Sequence, residues 1–587
     1  MAIADTHAAP RLPERAVPTR WDALLFQTKA AVFRAERLLR ELGRGPMRLA
    51  RSDAAEFATV IAASRTALWS DPRAGEQAMQ RGKVQNLRAA ARRLDRTVLP
   101  AEAVFSFWRQ LGRASTRRGF VAGRMLQEGC LVPATGGGLC QLSNALYDVA
   151  LQAGCTIVER HGHSRIVPGS SALRGRDATV AWNYVDLRFA APREMMLRVV
   201  VERDALAVRL LGRETVTPPE TSLRDVSNSP FRGGEGDAKT CGTCEETICF
   251  RHEGRLRAPA GRTAFLVDEN WPEFRDHVGR TRKDGDVLAL PLDGARWKAA
   301  RYAWPTKGFA HVVPASLTTL AHALRMRRAK EGPETRAAGL RRAEALAASL
   351  ARALTPDVTE VTVAQSLLPF LWRDGHLGGR RFAVLMTRMP MAEIERRLNA
   401  AAAAHPERRT LADFRAEPAL VAAEREALAA ADAVVTPHSE IAALFGERAV
   451  TLDWCRPRTR MRGAVVPKRI AFAGPTIARK GAYELRAAAK ALDLEVVLAG
   501  SELEGADFWA GVRTRRATAD DWLDGIAAVV QPALLEDAPR KLLAALGAGV
   551  PVIATKACGV PEQDGLTLVP AGGVDALIAA LRAIAAS

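Results

Sequence analysis

Thr135-Gly136-Gly137-Gly138-Leu139-Cys140-Gln141-Leu142-Ser143-Asn144-Ala145-Leu146-Tyr147, continued by His161-Gly162-His163-Ser164, governs how the first half of the chain folds. Three glycines run into a Leu-Cys step. From there Leu139, Leu142, Ala145, Leu146, Val149 and Ala150 recur at three- and four-residue spacing, which predicts a helix, and Gly154 closes it as a C-terminal cap. Cys155 to Arg160 reads as a short buried strand that delivers His161 and His163.

This layout puts a thiol on the first turn of a helix, where N–H groups and the positive end of the dipole favour a thiolate. A histidine from a later strand would serve as base. Asp177 and Asp186 follow the histidines, and either could orient an imidazole; Asp186 fits a surface carboxylate better. The alternative is a small buried hydrophobe behind a tight glycine turn.

Outward from this stretch, residues 1–19 read as disordered, and Trp21 to Leu42 as a helix with an apolar stripe of Leu24, Leu25, Ala31, Phe33, Leu38 and Leu39 among basic residues. Such a stripe could lie on an anionic membrane, but docking on its own domain is the commoner use and is favoured here. Residues 1–49 are thus a tail and amphipathic helix, and 50–215 the first globular unit. There Val84 to Leu94 predicts a helix; Phe105 to Trp108, Ala178 to Phe189 and Met196 to Leu211 predict strands, giving an α+β domain.

The same unit resembles the VanW family, named for an accessory protein of vancomycin-resistance clusters. The matching residues are Lys83-Val84-Gln85-Asn86-Leu87, Phe105-Ser106-Phe107-Trp108, Gly136 to Ser143, Glu159-Arg160-His161-Gly162-His163-Ser164 and Asp177 to Tyr184. The resemblance implies a cell-envelope setting rather than a particular reaction.

Residues 216–255 form a linker rich in Pro, Gly and Ser that ends in a cysteine cluster. Cys241, Cys244, Cys249 and His252 stand at C-x2-C-x4-C-x2-H, a spacing suited to zinc or an iron–sulfur centre; redox or disulfide thiols and no special role stay open.

Beyond residue 256 short apolar strands alternate with helical stretches, at Ala264 to Val267, Val287 to Leu290, Val358 to Val363, Phe382 to Met386 and Ala433 to Val435, then again at Arg469 to Ala473, Leu494 to Ala499, Ile526 to Gln531 and Val550 to Thr555. Two such runs predict two doubly wound α/β domains, 256–455 and 456–587, with ligands at the carboxyl ends of the strands. The last run resembles the donor-binding half of retaining GT-B glycosyltransferases. It does so through Gly474, Arg479-Lys480-Gly481, Leu535 to Thr555 and Gly559-Val560-Pro561-Glu562. The resemblance implies that Arg479 and Lys480 bind a diphosphate at a helix start and that Glu536 faces the donor sugar. The glutamate that usually holds the ribose maps to Ala544, an Arg position to Pro475, and the acceptor-side histidine to about Thr387-Arg388, with His376 and His438 poor substitutes by position.

Charge and composition bound the rest. Of 587 residues 48% are hydrophobic, enough for several cores, and no apolar run is long enough to span a bilayer. Met1 to Arg20 lacks a signal-peptide core, so a cytoplasmic protein is expected, with peripheral contact at the inner face of the membrane as the alternative use of its helix. The net charge of +19 is spread over Arg- and Ala-rich helices, with no RNA-binding signature or zinc-finger array, so nucleic acid is not an expected partner. The reading is a VanW-like α+β domain fused to a GT-B-like pair, transferring sugar from a nucleotide sugar to an envelope-type acceptor. Two alternatives stand beside it: a Cys-His acyl transferase or hydrolase centred on Cys140 with a non-catalytic second half, and a scaffold without turnover, which Ala544 favours.

Overall fold

The chain is described from a computed structural model. It covers residues 19–43, 45–52, 56–71, 73–127, 130–163, 175–213, 240–241, 243–244, 249–251, 261–326, 333–457, 464–518 and 521–586. The predicted disordered tail and nearly all of the Pro- and Gly-rich linker lie outside the described residues. The chain divides into two units, Met1–Ala260 and Gly261–Ser587.

In the first unit the strands are β1 (Thr59–Ala67), β2 (Thr97–Leu99), β3 (Val104–Ser106), β4 (Ala122–Gln127), β5 (Cys130–Thr135), β6 (Thr156–Glu159), β7 (Arg188–Ala190), β8 (Met195–Val201) and β9 (Ala205–Gly212). The helices are α1 (Arg20–Arg40), α2 (Gln77–Leu94), α3 (Phe107–Leu111) and α4 (Leu139–Gln152). Order β1-β9-β8-β2 makes an antiparallel sheet, β3-β7-β6 a second, and β4-β5 a hairpin. Leu142, Leu146 and Val149 of α4 meet Leu87 and Leu94 of α2 and Leu197, Leu206 and Val208 of β8 and β9 in one core.

Several expectations need correction here. Phe107 and Trp108 are helical rather than extended, because Ser106 Oγ accepts from Arg109 N at 3.2 Å and starts α3. The segment from Ala178 to Leu187 is no strand beyond the Ala181–Val185 bridge; side chains hold it instead. Met196 to Leu211 is two strands joined through Arg203 and Asp204. β6 is half exposed rather than buried. The apolar stripe of α1 does not dock: Leu24, Leu25, Leu38 and Leu39 are exposed, and only Ala30 is buried. Polar and aromatic anchors hold the helix instead. Arg34 Nε donates to Trp182 O at 2.6 Å, Arg37 pairs with Glu159, and Phe33 stacks on Tyr184.

The second unit holds two parallel sheets. The first runs β12-β11-β10-β13-β14-β15-β16, from β10 (Arg262–Leu266), β11 (Val287–Leu290), β12 (His311–Pro314), β13 (Val358–Ala364), β14 (Arg381–Leu385), β15 (Ala433–Thr436) and β16 (Ala449–Thr451). The second runs β19-β18-β17-β20-β21-β22, from β17 (Arg469–Phe472), β18 (Glu495–Leu498), β19 (Arg513–Arg516), β20 (Ala528–Gln531), β21 (Val552–Ala554) and β22 (Leu566–Leu568). Ala264 and Leu266 enter one core and Phe265 and Val267 another, so the sheet is buried on both faces, as crossover helices require. Ala471 and Phe472 divide likewise between two cores. In each sheet the order reverses beside the first strand, at β10/β13 and at β17/β20, and the crevice beyond those carboxyl ends is where doubly wound folds bind ligands.

Candidate functional sites

Cys140 is the second residue of α4, whose N-cap Gly138 is left-handed and brings no side chain to the first-turn N–H groups. The Cys140 sulfur lies 3.6 Å from Thr179 Oγ1 and 4.0 Å from Val180 O, and it hydrogen-bonds the imidazole of His163. Asp177 grips His163 twice: it accepts from the His163 backbone N at 2.6 Å and bonds Nδ1, which leaves Nε2 for the sulfur. Two residues of α4 fix the segment that carries Asp177. Asn144 Oδ1 accepts from Ala178 N at 2.7 Å, and Ser143 Oγ donates to Ala178 O at 2.5 Å. Burial would raise the Cys140 thiol, but the hydrogen bond and charge of His163 outweigh it and the thiol is lowered. His163 is raised to about 9, first by its bond to Cys140, against burial, then by Asp177.

The other two candidates in this unit fall elsewhere. β6 ends at Glu159, and the exposed His161 ring turns back to it, with Nε2 3.2 Å from Glu159 Oε1. Asp186 is buried rather than a surface carboxylate; it accepts from Ser106 Oγ at 2.6 Å, Trp108 N at 3.2 Å and Arg188 Nε at 2.9 Å.

The glycine loop before Cys140 is set by α2. Asn86 Nδ2 donates to Val121 O at 3.0 Å and to Gly137 O at 2.9 Å, and its Oδ1 accepts from Val121 N at 2.8 Å. A Cβ on Gly137 would stand 2.3 Å from Gly123 O. The stem of Lys83 covers Gly138, and burial, then Arg124, pushes its ammonium down to about 7. The spacing of Lys83-Val84-Gln85-Asn86 carries the signal, since Lys83 and Asn86, three apart, share a helix face.

His252 lies outside the described residues, and among those described no group of three or more His, Cys, Asp and Glu is arranged to hold a metal ion. Cys241 donates its N–H to Leu131 O at 2.9 Å, and the Leu131–Thr240 bridge brings Cys130 of β5 beside it. Burial first, then Cys130, push Cys241 up to about 11 against the charge of Arg251. Cys130 is too remote in sequence for spacing to reveal.

In the second unit, Lys480 and Glu536 meet at the β17/β20 switch with Nζ–Oε2 3.1 Å. Lys480 also donates to Leu535 O at 3.0 Å. Glu536 Oε1 accepts from Asp537 N and Ala538 N, each at 3.0 Å, and Oε2 accepts from Gln531 Nε2. Burial would raise this carboxyl; the Lys480 charge and the two backbone bonds hold it lowered. Gly474 lets the chain pass there, since a Cβ would lie 3.1 Å from Gln531 Nε2 and 3.3 Å from Lys480 Cβ. Gly481, at φ +83°, opens the helix Ala482–Leu492. A Cβ on Gly559 would stand 2.2 Å from His438 Cγ, so the ring packs on bare backbone. His438 itself is buried and structural: Nε2 donates to Glu536 O at 3.2 Å and Nδ1 accepts from Ile441 N at 3.4 Å. Ala544 is buried in the core.

Arg479, half-buried within reach of the charges of Asp537 and Glu536, stacks on Phe414 at 4.6 Å, with Arg336 on the same ring at 4.4 Å. Burial, then Arg388, pushes Arg336 down to about 10. The Nε atoms of Arg336 and Arg388 are buried without a hydrogen-bond partner among the described residues. Asp268, just beyond β10, accepts from Ser366 Oγ, just beyond β13, at 2.6 Å, and burial raises its carboxyl. Asp268, Ser366 and Arg336 were not singled out from sequence, whereas Arg388, with Thr387, marked the place where an acceptor-side histidine would fall. The signal for the first two was their position directly after the switch-point strands.

Residues 82–211 match the family model described as VanW like protein, and residues 467–587 the model described as glycosyl transferases group 1. The chain is 32% identical over 158 residues to vancomycin B-type resistance protein VanW of Enterococcus faecalis, covering 26% of this chain and 56% of that protein. It is 28% identical over 154 residues to the uncharacterized protein YoaR of Bacillus subtilis, covering 26% and 49%. The chain thus spans about half the length of the curated relatives it matches. Among solved structures, WaaG, a glycosyltransferase involved in lipopolysaccharide biosynthesis, is similar at 13% identity over 56% of this chain and 90% of that one, TM-score 0.33. Anabaena Alr3699/HepE in complex with UDP and glucose is similar at 14% identity over 55% and 89%, TM-score 0.33. The chain therefore carries a VanW-like domain and a glycosyltransferase-like region.

Proposed function

We propose that the second unit transfers a sugar, with retention, from a nucleotide sugar to an envelope-type acceptor. The buried Lys480–Glu536 pair at the β17/β20 switch carries this reading. Glu536 accepts from four donors, which fills the acceptor sites of a carboxylate. A diphosphate arriving at Lys480 takes that ammonium as its partner and frees one position on Glu536 for a sugar hydroxyl. Lys480 then neutralises charge on the leaving diphosphate. Arg479 on its Phe414 platform is a second cation for the same anion. The unpartnered Nε of Arg388, beyond β14, supports an anionic group on the acceptor side.

The test is thermal stabilisation of the full chain across nucleotides and nucleotide sugars. At about a hundred times the dissociation constant a ligand adds roughly 2.7 kcal/mol. The shift is expected to vanish in Lys480→Gln, with each variant compared against its own ligand-free melting point. The buried Ala544 favours a second reading, a scaffold without turnover. Silence across the whole panel decides for it.

A further inference from the structure

We propose that Cys140, His163 and Asp177 form a second reaction centre, a thiol acyl-transfer site for acyl groups carried as amides, esters or thioesters. This goes beyond sugar transfer and does not depend on it.

The geometry assigns each role. Cys140 stands on the first turn of α4, its sulfur 3.6 Å from Thr179 Oγ1 and within reach of the His163 imidazole. Asp177 holds Nδ1 and the backbone N of His163, so the ring cannot turn away and Nε2 is the atom that exchanges protons with sulfur. Ser143 and Asn144 are positioning residues, since both clamp Ala178 and through it Asp177. The N–H groups of Leu139 and Cys140 belong to a first turn with no capping side chain, and we assign them as donors to the carbonyl oxygen that gains charge. As a residue Cys140 is partly exposed, while its sulfur sits against Thr179 and Val180.

Two other buried thiols of this chain behave in the opposite way. Burial pushes Cys155 up to about 11 and Cys558 up to about 12, while Cys140 is lowered despite its burial.

The chemistry balances without an oxidant or reductant. The Cys140 thiolate attacks the carbonyl carbon and a C–S bond forms. The C–N, C–O or C–S bond of the substrate breaks, and the His163 Nε2 proton goes to the departing atom. Water or an amine then gives a proton to Nε2 and attacks the thioester. The C–S bond breaks and the thiolate returns, leaving a carboxylic acid or a new amide.

The experiment uses the full chain and two readouts. Iodoacetamide labelling, mapped by peptide mass, is followed from pH 5 to 10. Cys140 is expected to react at pH 6 about a hundredfold faster than Cys155 or Cys558. Next, p-nitrophenyl acetate and an acyl p-nitroanilide are offered, and intact mass reports acylation. The adduct is expected on Cys140, absent in Cys140→Ser, about a hundredfold slower in His163→Ala and unchanged in His161→Ala. Asp177→Asn is expected to move the labelling profile toward that of an ordinary thiol. Three results overturn the proposal: labelling of Cys140 that rises only near pH 8.5, equal acylation in wild type and His163→Ala, or no adduct from either probe. Should His163→Ala fail to fold, the wild-type pH profile and Asp177→Asn decide alone.

Discussion

At the scale of single residues, the second unit concentrates its polar free energy on one pair. Lys480 and Glu536 side chains are 11% and 9% exposed, so each needs the other. Removing one charge leaves the other buried, and Lys480→Met is expected to cost about 3–5 kcal/mol in urea unfolding. The pH dependence follows from the lowered Glu536 carboxyl. Its contribution is complete above the ordinary value of 4.5 and is lost as pH falls through the lower folded value. Acid unfolding below pH 4.5 is therefore expected to be less steep in Glu536→Gln than in wild type, followed by tryptophan fluorescence. Sequence named Cys140, His163 and Asp177 because each stands at a helix start or beside a strand end where chemistry is commonly placed, and it named Lys480 and Glu536 through the resemblance to GT-B glycosyltransferases. It could not choose between His161 and His163. Both follow β6; Asp177, fourteen residues on, contacts His163, while His161 turns back to the neighbouring Glu159.

At the scale of elements, the glycine loop depends on how closely α2 approaches β4. A Cβ on Gly82 would stand 1.9 Å from Ala122 O, a backbone atom that cannot yield cheaply. Gly82→Ala is expected to lower stability by about 1–3 kcal/mol or more. It should also slow Cys140 labelling, because Asn86 on α2 holds the Gly137 carbonyl. A melt and a labelling rate on the same sample check both. Periodicity revealed α2, α4 and nine of the parallel strands, whose two-faced burial makes them apolar runs. The edge strands β12, β16, β19 and β22 escaped it. Arg513-Thr514-Arg515-Arg516 in β19 is polar throughout and is a strand only because β18 pairs with it. The segment after Asp177 misled in the other direction: its β-branched and aromatic residues suit a strand, but Ser143, Asn144 and Arg34 hold it in an irregular path.

For the whole molecule, the open matter is how a net charge of +19 and the exposed face of α1 combine. Trp21, Leu24, Leu25, Val32 and Leu39 are each more than half exposed, while Arg34 and Arg37 are spent anchoring the helix to the first unit. Apolar residues facing solvent on an anchored helix, in a strongly basic chain, suit an anionic bilayer surface. We propose that contact, and salt separates its two sources. Charge alone is screened, with a Debye length of about 3 Å at 1 M salt, whereas buried apolar area is not. Co-sedimentation with vesicles containing phosphatidylglycerol is expected at low salt and should persist in part at 1 M. In Trp21→Ala/Leu24→Ala/Leu25→Ala the low-salt binding should weaken and the high-salt remainder should disappear. Binding that vanishes at high salt in wild type would assign the attraction to diffuse charge and leave α1 without a role in it. Equal binding by wild type and the triple variant at every salt concentration would do the same.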